Sequence, residues 1–230
     1  MAIAENHLIA LLPRRQRLRV LAICEPVRLS LQDVLCERGM AIRHVYFPVD
    51  SIVSLGKAVD GRATLELAMV GCEGMLGAEL VLGVASAPLD ARVLRAGAAS
   101  RIHIPVFRRE LASSAPLQRI LKRYLYLSNA QLATSAVCVH FHLIQARLAR
   151  WLLMIQDRAH AQRFHVTHEL LARMLGVRRV GITVAAGALQ HGRLISYRRG
   201  ELTVLDRKGL EASACSCYAS DRLAYGELMH

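Results

Sequence analysis

Arginines crowd the stretch from Phe164 to Leu205 in a pattern that could grip a polyanion. Arg178 and Arg179 stand just ahead of Thr183, and Arg198 with Arg199 lie further along the same stretch. A guanidinium group offers paired N–H donors to a phosphate or a guanine edge and stays charged at any working pH. Residues 141–205 hold ten arginines against Asp157, Glu169 and Glu201, a local net charge of +7. The whole chain carries +12, and its only lysines are Lys57, Lys122 and Lys208. Basic charge gathered on one short segment is an electrostatic footprint for nucleic acid.

The elements that would position these side chains can be read around them. Thr167 suits the N-cap of a helix from His168 through Leu175, with Glu169 favourable in its first turn and Gly176 ending it in a left-handed conformation. A second helix follows over roughly Arg178 to His191. Counted from His168, the residues are small or apolar at Leu171 and Ala172, glycine in the turn, and apolar at Ile182 and Ala185. That is the spacing of a helix-turn-helix. Next, Leu194–Arg198 and Glu201–Leu205 flank Arg199-Gly200 as two strands of a hairpin, the wing of a winged helix. In this reading Arg179, Val180 and Thr183 face base edges, while Thr167, His168, Arg178, Arg198 and Arg199 meet phosphates. The partner is double-stranded DNA.

Ahead of that segment the pattern is different. From about Pro26 to Pro105, short β-branched or alternating runs such as Val45–Phe47, Ile52–Leu55 and Leu65–Val70 are punctuated by glycines, and Asp60-Gly61 is a hairpin signal. Many short strands at even spacing predict a β-sandwich or barrel. Asn6 to Cys24 reads as one or two short helices before it. Leu117, Leu121, Tyr124 (or Leu125), Ser128, Leu132 and Ser135 recur at helical steps toward Val139, predicting a long amphipathic helix whose seam meets a second subunit. Val139–His142 reads as a hinge, and residues 143–156 as a further helix. The expected organisation is a sensing domain over 1–115, a dimerisation helix over 116–140 and a DNA-binding domain over 141–230. The fold class is α+β.

The order of barrel, long helix and winged helix resembles the Crp/Fnr family of bacterial transcription regulators. The stretches Ile42–Pro48, Met174–Arg179 and Leu194–Gly200 are similar to that family's. The resemblance implies a cyclic-nucleotide-binding-like jelly roll, a homodimer on a palindromic operator, and RNA polymerase and a small-molecule effector as further partners. Two places depart from the family pattern. Its cyclic-nucleotide members carry Gly-Glu followed by an Arg-Ser pair whose arginine neutralises the cyclic phosphate. Here the corresponding pocket would take Glu73, Gly77, Glu79, Asp90 and Arg92, with Asp90 at the arginine's place and Ala91 at the serine's. A carboxylate repels a phosphate, so cyclic AMP is not the expected effector. In the recognition helix, Val180 replaces the usual glutamate after Arg179.

Other clusters are weaker. Cys138 and His142 share a helical face, and Cys215 and Cys217 sit near the C-terminus; either pair could serve a redox- or metal-responsive regulator of the same architecture. Two ligands do not make a metal site, and packed thiols are the expectation. Cys24 and Cys36 do not supply the clustered motif of the family's iron–sulfur members. His165–Glu169 matches neither ordering of the zinc-protease motif, and no nucleophile elbow, phosphate loop or dinucleotide fingerprint occurs. The reading is therefore of a regulator and not an enzyme, with no catalytic residue, metal or cofactor. It would act in the cytoplasm, with no membrane partner.

Overall fold

The computed structural model describes residues 5–59 and 63–229. The chain begins with two short helices, α1 (His7–Ala10) and α2 (Arg14–Ala22). Asn6 caps α1 by accepting the Leu8 N–H, and its buried amide donates to the Pro48 and Gly74 carbonyls at 2.9 and 2.8 Å. One satisfied polar side chain thus ties the N-terminal helix to the strands behind it.

Seven strands follow: β1 (Glu25–Leu29), β2 (Val34–Cys36), β3 (His44–Pro48), β4 (Ile52–Val59), β5 (Ala63–Val70), β6 (Asp90–Arg95) and β7 (Gly97–His103). They form two sheets, ordered β1-β7-β3 and β2-β6-β4-β5. Leu29, Tyr46, Val53, Val70, Leu76, Ala91, Val93 and Ala99 cluster in the core. Strand β7 begins Gly-Ala-Ala-Ser, which carries no strand signal. It is a strand because β1 and β3 both pair with it along its length, Val27 opposite Ala99 and Val45 opposite Ile102. The Asp60-Gly61 turn lies outside the described residues.

Helix α3 (Ile104–Ser113) then leads into α4 (Ala115–Phe141). Ser114 separates them: its backbone is extended, its hydroxyl accepts the Leu117 N–H, and Pro116 occupies the first turn of α4. Two sequence expectations change here. Leu117, Leu121 and Tyr124, read as a seam toward a second subunit, are buried within the single chain, and Leu121 is wholly inaccessible. The Tyr124 ring fills the space beside Gly74 so closely that a Cβ there would lie 2.3 Å from its hydroxyl. The physical reason is that an apolar stripe on a helix satisfies whichever surface reaches it first. Ser128 and Ser135 are half-buried and Leu132 is exposed. A different stripe stays open, with Tyr126, Val137 and Phe141 at 66%, 52% and 79% exposure. The hinge also moves. Val139 through Phe141 remain helical, and the break falls at His142 and Leu143, where the backbone becomes extended.

The chain divides into two compact units, Met1–Gly56 with Ala68–Asn129 and Tyr225–His230, and Lys57–Leu67 with Ala130–Ala224. The second holds α5 (Ile144–Ala159), β8 (Arg163–His165), α6 (His168–Leu175), α7 (Arg179–His191), β9 (Ile195–Arg198), β10 (Glu201–Val204), α8 (Arg207–Ser213) and most of α9 (Ser216–Leu228). Leu148, Leu152, Leu171, Leu175, Ile182, Leu189, Ile195 and Leu202 are among its buried residues. Helix α5 packs against α6, α7 and α8, and β8, β10 and β9 form an antiparallel sheet in that order. Among the described residues no helix is long and apolar enough to cross a membrane.

Candidate nucleic-acid interface

Thr167 caps α6, its hydroxyl accepting the Leu170 N–H at 3.1 Å, and Gly176 ends the helix at φ +63°. Helix α7 starts at Arg179, one residue later than the spacing suggests, with Arg178 in the extended cap position and no side chain capping the helix. The Gly181 N–H donates to the Arg178 carbonyl at 2.9 Å, and the positive end of the helix dipole lies at this exposed first turn. Ile182, Ala185, Ala186 and Leu189 turn inward. Arg178, Arg179, Val180, Thr183 and Val184 remain exposed, the two valines by 66% and 69%.

The wing is a two-residue hairpin. Arg198 pairs with Glu201, and Arg199 and Gly200 between them both have positive φ, +54° and +84°. That is the turn whose twist matches an antiparallel pair. Glycine is needed at 200 for a second reason, since a Cβ would meet the His165 ring at 2.5 Å. The turn leaves Arg198 and Arg199 exposed at the tip.

Between α7 and the wing lies a concave face of about 530 Å³, lined by residues that include His165, Thr167, His168, Arg179, Thr183, Gln190, Tyr197 and Arg199. His168 makes two contacts on this face. Its ring stacks at a tilt on Tyr197, with centroids 4.8 Å apart, and its Nδ1 lies 3.1 Å from the Thr183 hydroxyl. Thr183 also donates to the Arg179 carbonyl at 3.2 Å, so His168 Nδ1–H can donate to Thr183 and hold it in place. Its other ring nitrogen is buried without a partner. Burial, and then the nearby Arg179, hold this imidazole below the usual histidine range. These contacts make His168 a neutral prop for Thr183 on that face. Tyr197, anchored by donating to the Val166 carbonyl at 2.7 Å, completes the prop.

The sequence alone passed over Val184, Gln190 and Tyr197. Val184 had a signal, because a β-branched residue four positions after Val180 falls on the face that the core does not use.

Residues 146–213 match the family described as the Crp-like helix-turn-helix domain. This segment is therefore similar to a Crp-like helix-turn-helix domain. The fold around it is that of Crp/Fnr-type regulators. It is similar to FixK2 from Bradyrhizobium japonicum (13% identity, over 84% of this chain and 98% of the other, TM-score 0.72). It is also similar to a CRP/FNR-family transcriptional regulator from Thermus thermophilus (22%, 83% and 98%, TM-score 0.67). A third likeness is to the c-di-GMP-responsive global regulator CLP from Xanthomonas campestris (18%, 84% and 99%, TM-score 0.65). No curated protein matches the chain.

Outside residues 146–213, the five residues expected to shape an effector pocket do not converge. Gly77 and Glu79 line a cavity of about 20 Å³ with Cys36, Ile42, His44 and Leu55, among others, and no arginine or lysine is in that lining. Burial pushes the Glu79 carboxyl up, and one of its oxygens is buried without a partner. Glu73 instead accepts the Gly71 N–H, Asp90 accepts the Arg38 N–H, and Arg92 is exposed on β6. The two cysteine pairs do converge. Cys138, His142, Cys215 and Cys217, read from sequence as separate pairs, bring their ligand atoms within 4.8 Å of one another.

Proposed function

We propose that this chain is a DNA-binding transcription regulator, acting in the cytoplasm as a homodimer on an inverted-repeat operator. The observation that carries the reading is the exposed basic face made by the first turn of α7 and the Arg198-Arg199 wing tip, with an apolar core behind it. Helix α7 enters the major groove; Arg179 and Thr183 read base edges, and Val180, joined by Val184, offers methyl groups that favour a thymine methyl over a polar edge. Arg178, Arg198, Arg199 and Thr167 meet phosphates, which sets affinity and register without sequence information.

The dimer forms along the exposed stripe of α4 that contains Tyr126, Val137 and Phe141. The chain divides by role into sensing residues 1–115, a dimerisation helix over 116–140 and DNA-binding residues 141–230, and the sensing part biases the two winged helices. RNA polymerase is the further protein partner. The effector is not cyclic AMP. A cavity of about 20 Å³ holds one water, its lining lacks a cation, and its one carboxylate opposes a phosphate.

Selection of bound duplexes from a random library tests the reading. The expected product is an inverted repeat whose half-sites are centred one DNA turn, about 34 Å, apart. Enrichment of single or directly repeated half-sites would remove the two-fold dimer, and no enrichment would remove sequence-specific binding.

A further inference from the structure

We infer that Cys138, His142, Cys215 and Cys217 together form a tetrahedral site for a thiophilic divalent cation of the zinc class, clasping the last turn of α4 to the start of α9. Cys138 Sγ lies 3.5 Å from Cys215 Sγ, and Cys217 Sγ lies 3.5 Å from His142 Nδ1. Zinc–sulfur bonds of about 2.3 Å and zinc–nitrogen bonds of about 2.0 Å place tetrahedral donors about 3.5–3.8 Å apart, so the four atoms need only small shifts to close on an ion. Three sulfurs and an imidazole, with no carboxylate among them, suit zinc and exclude magnesium and calcium. Among the described residues this is the group of His, Cys, Asp and Glu close enough to share an ion.

The surroundings supply a second argument. Arg147 is buried, donates to the Leu175 carbonyl, and has no carboxylate partner among the described residues. The groups facing its guanidinium that could carry negative charge are the Cys138 and Cys215 sulfurs. A buried cation without a counter-ion is costly. Three thiolates, a neutral imidazole and a divalent cation carry one net negative charge, which answers it. Binding releases three thiol protons to solvent, forms three metal–sulfur bonds and uses the His142 Nδ1 lone pair; nothing is oxidised or reduced.

Two side-chain bonds frame the site. Arg150 pairs with Asp221 of α9 at 2.7 Å, and Tyr218 of α9 donates to Asp157 of α5 at 2.8 Å. These bonds hold the first turns of α9, which Cys215 precedes and Cys217 opens, against α5, and Arg150 also reaches the Ser135 hydroxyl of α4 at 3.4 Å.

The test uses the untagged full-length chain, purified in reductant without chelator, and needs no DNA, so its outcome is separate from that of the DNA-binding reading. Elemental analysis should find about one zinc per chain after dialysis. Replacement by cobalt(II) should give thiolate-to-metal charge transfer and the intense visible bands of a tetrahedral ion. Cys217→Ser should weaken cobalt binding about tenfold or more, His142→Cys should keep it, and Cys24→Ser should leave it unchanged. Less than about one zinc in ten chains after loading, a pale octahedral cobalt spectrum, or a Cys138–Cys215 disulfide in protein handled without oxygen would overturn the inference. Equal loss in Cys24→Ser would overturn it too.

Discussion

Arg179 and Arg198 are both exposed arginines on one face, yet their positions give them different work. Arg179 opens α7, the position from which we propose it reads base edges; Arg198 ends β9 at the wing tip. Arg179→Ala should cost about 1–3 kcal/mol on the selected operator and little on scrambled duplex, measured by titration of each. Equal losses on both duplexes would reassign it to a phosphate. The neutral His168 beneath Thr183 makes a second prediction. Burial and Arg179 depress its folded-state pKa, so as pH falls below about 6.5 the unfolded chain takes up a proton that the folded chain refuses. Stability contributed above that pH is therefore lost as pH falls toward the folded-state pKa, with His44, also held low by burial, adding to the slope. His168→Gln should flatten part of the fall in melting temperature between about pH 7.5 and 5. A variant with the full slope would free His168 from this role. Spacing alone was enough to place Arg179 at the start of a helix, whereas the contact of His168 with Tyr197 joins residues that no local pattern brings together.

Helix α4 shows how one element can be read correctly and its partner misread. Its length and start were legible, because Pro116 suits a first turn and no glycine interrupts the run. Which stripe faces outward was not, since Leu117–Leu121–Tyr124 and Tyr126–Val137–Phe141 are both at helical spacing. Burial separates them, and it predicts opposite results for two substitutions. Leu121→Ala should cost about 2–5 kcal/mol of stability in urea or thermal unfolding, because it empties a wholly buried site. Val137→Glu should leave the fold intact and dissociate the dimer in sedimentation, by placing like charges across the two-fold. A Val137→Glu protein that remains dimeric would move the interface off this stripe.

At the scale of the whole molecule, the net charge of +12 sits unevenly, with the +7 of residues 141–205 on the unit that carries α7 and the wing. Arg178, Arg198 and Arg199 are the arginines proposed to lie on phosphates, doubled in a dimer. Affinity for any duplex should then fall steeply with salt, with a slope of about −0.9 per phosphate neutralised. Arg198→Ala should shallow that slope by about one unit per subunit while lowering operator and scrambled affinities alike. A slope unchanged by the substitution would take Arg198 off the backbone.

What this chain's sequence determined by itself is what short-range chemistry dictates: the capping threonine at 167, the turn glycines at 176 and 200, the helical seating of Ile182 and Ala185, and the concentration of arginine. Each depends on a residue and its near neighbours, so spacing suffices. What only the tertiary structure decided are matters of long-range contact. Strand β7 exists because two partners pair with it, the N-terminal half of α4 is buried because the single chain covers it, and the Glu73-to-Arg92 set fails to converge because Glu73 and Asp90 bond to other backbone groups and Arg92 faces solvent. The four ligand-type residues 138, 142, 215 and 217 fall into two local pairs that carry no message alone. Their meeting within 4.8 Å comes from long-range packing, in which Asp221 and Tyr218 tie α9 to α5. Sequence spacing specifies a face on one element; which faces meet is settled by the packing of all of them.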